Sequence, residues 1–257
     1  MSEPVNGSQP VLWHIAISHY NEKVRWALDY KGIEHERRAP MPGLHMAVAL
    51  WLTRGRHNTF PILQMDGETI GDSTAIIGAL ERRQPDPPLY PEEPDARRRA
   101  LDLEDFFDER VAPYVRRLAF HEATRDPATV ERFTVQLLPG AVRDLGAARA
   151  GAGRFLSAFA ALRYGVKSAE AAEFARTKII AGLDRLESEL GGRDYLVGDR
   201  FTVADLSAAS LLYPLVRPPA SPESPPPPPA LERFRAPLKE RPGCQWVQEV
   251  YRRHRRP

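Results

Sequence analysis

Apolar and polar positions follow two different rhythms along this chain, and the change between them divides it. Val11-Leu12-Trp13-His14-Ile15-Ala16-Ile17 is dense in strand formers and predicts a first strand. Val24, Ala27 and Leu28 then recur at helical spacing, and Gly32 closes that helix. Glu34 to Arg38 alternates in charge and reads as a short edge strand, while Leu44 to Leu52 is apolar at helical spacing and ends before Gly55. Phe60 to Met65 and Glu68 to Ile70 flank Asp66-Gly67, a pair suited to the left-handed backbone of a tight hairpin turn. Asp72-Ser73 opens a helix through Ile76, Ile77 and Leu80. The order β-α-β-α-β-β-α predicts a small mixed sheet with helices packed on it.

Beyond residue 84 the rhythm is helical throughout. Residues 85–94 are proline-rich, stop the preceding helix and read as a linker. Asp95 to Glu122 forms one long amphipathic pattern with a bend expected at Pro113. Asp126-Pro127 opens another helix, and helical windows follow over 141–163 and 168–190. Thr202 and Asp205 have capping-box spacing, with Phe201 and Leu206 placed as a hydrophobic staple. The helix behind them is apolar nearly all round and should be buried. Arg217–Pro229 holds eight prolines and predicts an extended, stiff surface connection. Trp246, Val247, Val250 and Tyr251 give a last helix its apolar face. The expected organisation is an α/β domain over 10–84, a linker over 85–94 and an all-helical domain over 95–257.

Composition narrows the functional classes. With 257 residues, 42% of them hydrophobic, the chain can bury a core without staples. A single cysteine, Cys244, excludes an intrachain disulfide, a zinc finger and a CxxC redox pair. A net charge of +2 lacks the basic excess of a nucleic-acid binder, and the run Arg252 to Arg256 is expected to be a solvated tail. No apolar run approaches the roughly 18 residues of a membrane helix, and MSEPVNGSQP has no signal-peptide pattern, so a cytoplasmic protein without a membrane partner is expected. The bias of 31 Arg to 5 Lys, with abundant Ala, points to a bacterium with a high-GC genome.

Three local motifs carry a resemblance. Ser18-His19-Tyr20-Asn21-Glu22-Lys23-Val24-Arg25-Trp26-Ala27-Leu28 joins the first strand to the first helix. Thr59-Phe60-Pro61-Ile62-Leu63 is followed by Gly71-Asp72-Ser73-Thr74-Ala75-Ile76, and the capping box lies at 202–205. In this order the chain resembles a serine-type cytosolic glutathione S-transferase, with theta-like and omega-like features. The resemblance implies a thioredoxin-like N-terminal domain and an all-helical C-terminal domain. It also implies glutathione as co-substrate, no metal, a homodimer and a detoxifying role. It places the catalytic serine of theta-like classes at Ser18. The Phe60-Pro61 pair would hold the cysteinyl part of glutathione through a cis bond that turns backbone groups outward. Asp72 and Ser73 would hold its γ-glutamyl end. Tyr20 is a second hydroxyl candidate, and His45, Arg54 and His57 are candidates for the glycyl carboxylate. The family's usual Asn-Pro-X-Gly approach to the proline is replaced here by Arg54-Gly55-Arg56-His57-Asn58.

The chemistry can be reasoned separately. A thiol of pKa about 8.5 is only a few per cent ionised at neutral pH. Lowering it by two units needs about 2.7 kcal/mol of preferential stabilisation of the anion. One hydrogen bond to a charged acceptor supplies roughly 1.5–3 kcal/mol, and a helix N-terminus adds about 0.3–1 kcal/mol. Ser18, between strand and helix, can meet both conditions, although the residues alone leave it equally able to cap the helix. The same holds for Asp72-Ser73, and Pro61 alone could be a trans proline at an edge strand. Omega-like relatives carry cysteine where this chain has Ser18, so a mixed disulfide there is excluded and thiol conjugation is favoured. The acceptor is expected to be a small hydrophobic electrophile lying near Phe106, Phe107, Arg110 and Tyr114. Two other readings stay open: a non-catalytic binding or scaffold protein that kept the fold, and a thiol-dependent isomerase or dehalogenase.

Overall fold

The computed structural model describes residues 9–40, 44–137, 151, 153, 154, 158 and 168–255. The sheet-bearing half runs β1 (Val11–Trp13), α1 (His19–Tyr30), β2 (Glu36–Arg38), α2 (His45–Leu52), β3 (Ile62–Met65), β4 (Glu68–Gly71) and α3 (Ser73–Arg83). The helical half contains α4 (Pro94–Arg110), α5 (Ala112–Arg125), α6 (Pro127–Leu137), α7 (Ala169–Leu190), α8 (Val203–Val216), α9 (Pro229–Arg235), a 3-10 turn (Ala236–Leu238) and α10 (Pro242–His254). The thioredoxin-like half and the helical half anticipated from the sequence are both present.

The sheet has the order β2-β1-β3-β4, with β1 parallel to β2 and both other pairs antiparallel. Asp66 and Gly67 both have positive φ, 53° and 81°, as the hairpin turn requires. Side chains on β3 alternate between two layers. Leu63 and Met65 enter the main core under α1 and α3, while Ile62 faces α2 beside Ala49 and Phe60. The main core crosses both halves: Leu12, Trp26 and Ile76 belong to the same buried cluster as Phe107, Leu183 and Leu206. At its centre lies α8, in which every residue except Pro214 is buried. Its capping box is formed, and Asp205 also accepts the Leu196 N–H at 2.8 Å.

The linker is fastened rather than loose. Lys31, 1% exposed, donates to Gln84 O at 2.7 Å and Pro87 O at 3.0 Å and pairs with Glu81 at 2.6 Å. Leu89 is fully buried, and its carbonyl accepts the Val203 N–H at 2.8 Å.

Three expectations need correction or limitation. The single long helix over Asp95 to Glu122 is two helices that meet at Val111, where φ is −122° and ψ −56°. Pro113 lacks the N–H that would continue α4, so the chain restarts with that proline in the first turn of α5. The basic C-terminal run is not wholly solvated. Arg255 donates to Glu22 at 2.7 Å and Asp29 at 2.6 Å, because the buried Glu22 carboxylate demands cationic partners. The window over 141–163 lies outside the described residues apart from positions 151, 153, 154 and 158. In the proline-rich segment, residues 217–228 form neither helix nor strand. Arg217 folds that segment toward itself, donating to Ser224 O at 2.6 Å and Pro225 O at 2.7 Å.

Candidate active site

The loop between β1 and α1 is short, and buried donors hold nearly every turn of it. Arg25, on the second turn of α1, donates to Ala16 O at 2.8 Å and Ile15 O at 3.3 Å, while Glu22 holds its guanidinium at 2.9 Å. Tyr213, from α8 in the other half, donates its hydroxyl to Ile17 O at 2.6 Å. Arg25 also meets His14 Nδ1 at 2.9 Å. A guanidinium only donates, so Nδ1 must be the acceptor. Burial and the neighbouring Arg25 push the His14 pKa down to about 4, consistent with that neutral state.

Ser18 is delivered at the end of this loop as the N-cap of α1, with φ −82° and ψ 127°. Its hydroxyl makes no capping bond to the first turn. Instead it receives Asn21 Nδ2 at 2.8 Å. Asn21 is completely buried, donates also to Phe60 O at 3.2 Å and accepts the Ile15 N–H at 3.1 Å. One side chain therefore joins the end of β1, the start of α1 and the approach to β3. The Phe60-Pro61 peptide bond is cis, as is Asp86-Pro87 in the linker.

From Pro61 the path continues across the sheet. Ile62 pairs with Gly71, and Asp72 follows at φ 72°, ψ 132° as the N-cap of α3. Asp72 Oδ1 accepts the N–H groups of Thr74 at 3.0 Å and Ala75 at 3.1 Å. Ser73 is 3% exposed. Ser18, Phe60-Pro61 and Asp72-Ser73 thus lie at successive strand ends on one side of the sheet.

The other candidates are placed differently. Tyr20 donates its hydroxyl to Asp108 O at 2.7 Å, with Arg116 5.5 Å over its ring. Burial raises the Tyr20 pKa well above its ordinary value, so the phenol keeps its proton. His45 is the first residue of α2 and half-buried. The His57 ring lies against Gly71, where a Cβ would clash with its Cδ2. Trp51, Arg54, Arg56 and His57 line an open groove of about 1330 Å³ beside β4. Of the residues expected to face an electrophile, Phe107 is fully buried and belongs to the core. Phe106 and Arg110 line a separate small cleft with Arg99 and Arg185, and Tyr114 meets Phe174 edge-on.

Two features were not anticipated. Asn21 offered only a polar residue in the first turn of a helix. Below it, Lys23 pairs with Glu104 at 2.8 Å and Asp108 at 2.6 Å, and Thr74 Oγ1 touches both carboxylates at 3.0 and 2.9 Å. Burial opposes charge on Lys23, but the two carboxylates outweigh it and raise its pKa. Burial raises that of Glu104, with Lys23 acting against it. The cluster fastens α1, α3 and α4 beneath the site. Its only trace in the sequence is the four-residue spacing of Glu104 and Asp108 beside the apolar stripe of α4.

Known proteins share this fold. The family model for the glutathione S-transferase N-terminal domain matches residues 12–88, and that for the glutathione S-transferase C-terminal domain matches residues 146–253. Between them they take in more than half of the chain. Maleylacetoacetate isomerase from Rattus norvegicus is 31% identical over 113 residues, covering 42% of this chain and 52% of that protein. The chain therefore spans about half the length of the curated relative it matches. Among solved structures, a beta-etherase from Sphingobium sp. strain SYK-6 is similar with a TM-score of 0.62 and 20% identity, covering 94% of this chain and 99% of that one. A theta class glutathione S-transferase from Xanthomonas axonopodis pv. citri, with glutathione bound, gives a TM-score of 0.55 and 23% identity over 92% and 95% of the two chains. These two likenesses concern the fold. With both halves of its fold and both family models in agreement, the chain belongs to the glutathione S-transferase superfamily.

Proposed function

We propose that the protein binds glutathione across the ends of β1, β3 and β4 and uses Ser18 to activate its thiol for attack on a small hydrophobic electrophile. The observation that carries this reading is the bridge through Asn21, which holds the Ser18 hydroxyl beside the backbone that precedes Pro61. Ser18 stands where the unpaired N–H groups and dipole of α1 favour an anion. Asp72 and Ser73 stand at the start of α3, a second such position, suited to the γ-glutamyl carboxylate, with Asp72 facing the ammonium. Arg54 and Arg56 supply positive charge, and His57 a ring N–H, beside the groove for the glycyl carboxylate. Glutathione bound in the Xanthomonas relative supports the choice of thiol. A cytoplasmic location, a detoxifying role and a two-fold homodimer belong to the same reading; exposed Leu50 and Trp51 on α2 are apolar surface that a second copy could cover.

A second reading is favoured by the rat relative: a thiol-dependent isomerase would use the same thiolate, adding it and later expelling it. Thermal denaturation with millimolar glutathione tests binding, because a ligand at 100 times its dissociation constant adds about 2.7 kcal/mol. No shift would overturn the proposal. Turnover of aryl halides against that of maleylacetoacetate separates conjugation from isomerisation, and binding without turnover of either identifies a non-catalytic protein.

A further inference from the structure

We propose that Asn21 is a positioning residue that sets the direction of the Ser18 hydroxyl, leaving its proton to be donated to the bound thiol sulfur. This rests on the reading of Ser18 given above. Its support lies in hydrogen-bond bookkeeping around one buried amide. The Ile15 N–H can only donate, so the atom facing it at 3.1 Å must be the Asn21 oxygen. The Phe60 carbonyl can only accept, so the atom facing it at 3.2 Å must be the Asn21 nitrogen. A flipped amide would oppose oxygen to oxygen at Phe60 and N–H to N–H at Ile15, which settles the orientation. The second hydrogen of that nitrogen is then directed at Ser18 Oγ, 2.8 Å away.

Ser18 Oγ is consequently an acceptor toward Asn21, and its single proton must go elsewhere. The first turn of α1 does not compete for the oxygen, because Ser18 makes no side-chain capping bond. Asn21 is completely buried, so water does not compete for the amide either. A hydroxyl that accepts a hydrogen bond also becomes a better donor, since chains of hydrogen bonds polarise one another. Asn21 touches no reacting atom. It acts through Ser18.

The test is a double-mutant cycle on the full chain with glutathione, reading the pH midpoint of thiolate formation from its ultraviolet absorbance. Ser18→Ala and Asn21→Ala are each expected to raise that midpoint by about one pH unit or more, the equivalent of one charge-assisted hydrogen bond. The double variant should match Ser18→Ala, because Asn21 has nothing to act through once the hydroxyl is gone. An unchanged midpoint in Asn21→Ala beside a raised one in Ser18→Ala overturns the inference and leaves the reading of Ser18 standing. Full addition of the two shifts in the double variant also overturns it. An unchanged midpoint in Ser18→Ala removes the reading of Ser18 and the inference together. Circular dichroism verifies folding. If Asn21→Ala does not fold, Asn21→Ser, which shortens the donor but keeps an acceptor near Ile15, is read in the same way.

Discussion

The indole N–H of Trp26 donates to the backbone carbonyl of His254 at 3.1 Å, joining the first helix to the last across 228 positions of sequence. Phe201 and Tyr251 pack on the same indole, with ring centroids 5.6 and 4.4 Å away. One residue further on, Arg255 reaches the Glu22 and Asp29 carboxylates. Because Glu22 also holds Arg25, and Arg25 holds the loop that carries Ser18, this C-terminal docking is continuous with the support of the site.

Arg255→Ala should therefore destabilise the protein more than an ordinary surface change. It removes a charge-assisted bond from a fully buried carboxylate, at a cost of about 1.5–3 kcal/mol. In a chain of this size that lowers the thermal midpoint by about 3–10 °C. Arg255→Lys should recover only part of the loss, since an ammonium cannot reproduce the fork that serves two carboxylates. Thermal denaturation of the two variants distinguishes this from a solvated tail, which neither change would affect.

Ser18→Ala should lower kcat/KM for thiol conjugation by about 10–100-fold. It should also cost about 1–3 kcal/mol of stability, because the buried Asn21 amide loses the acceptor of its second hydrogen. Ser18→Cys should exchange one chemistry for another. Its thiolate would attack oxidised glutathione, forming a mixed disulfide and releasing one glutathione, which mass spectrometry detects. The native Cys244 should stay unmodified, because it is 2% exposed and burial pushes its thiol up to about 11.

Gly71→Ala should force the His57 ring away, since the added methyl would clash with its Cδ2. The expected cost is about 1–3 kcal/mol of stability, with weaker glutathione binding if His57 helps to hold the glycyl carboxylate. In a His57→Ala background the same substitution should cost little, because the methyl then occupies vacated space. Denaturation midpoints of the two singles and the double test this coupling.

His19 lies entirely inside the protein, and burial, with Arg116 adding to it, pushes its pKa down to about 3. An unfolded chain takes up that proton near pH 6.5. The folded state resists it, so the stability due to a neutral His19 is complete above pH 6.5 and is lost as the pH falls toward 3. His19→Phe should flatten the decline in thermal midpoint over that range. Asp205 has the opposite sign: burial raises its pKa to about 6, so its contribution is present below about pH 4 and is lost as the pH rises through 6. Midpoints of His19→Phe and Asp205→Asn measured against pH check the two signs.

Much of the fold could be read in advance because its signals are local. The Asp66-Gly67 turn, the caps at Asp72 and Asp126, and the capping box at Thr202 each depend on residues within a few positions of one another. The split at Val111 was missed because amphipathic spacing continues through it, and only the absent N–H of Pro113 interrupts the helix. Phe107 shows the limit of such reasoning for the site. Periodicity marked its face as apolar, but not whether that face meets a ligand or the core.

Residue type and order by themselves determined the two halves, the hydroxyl at position 18 and the absence of a thiol there. They also placed Pro61 and Asp72-Ser73 at element boundaries, since capping, turn formation and side-chain chemistry are short-range properties. Only the tertiary structure decided what surrounds these groups. Asn21 meets Phe60 across 39 positions, Lys23 meets Asp108 across 85, and Tyr213 meets Ile17 across 196. A hydrogen bond has direction and a reach of about 3 Å, and burial determines whether water competes with it. Neither property can be read from spacing along the chain, and together they set which atom of Ser18 is left to act.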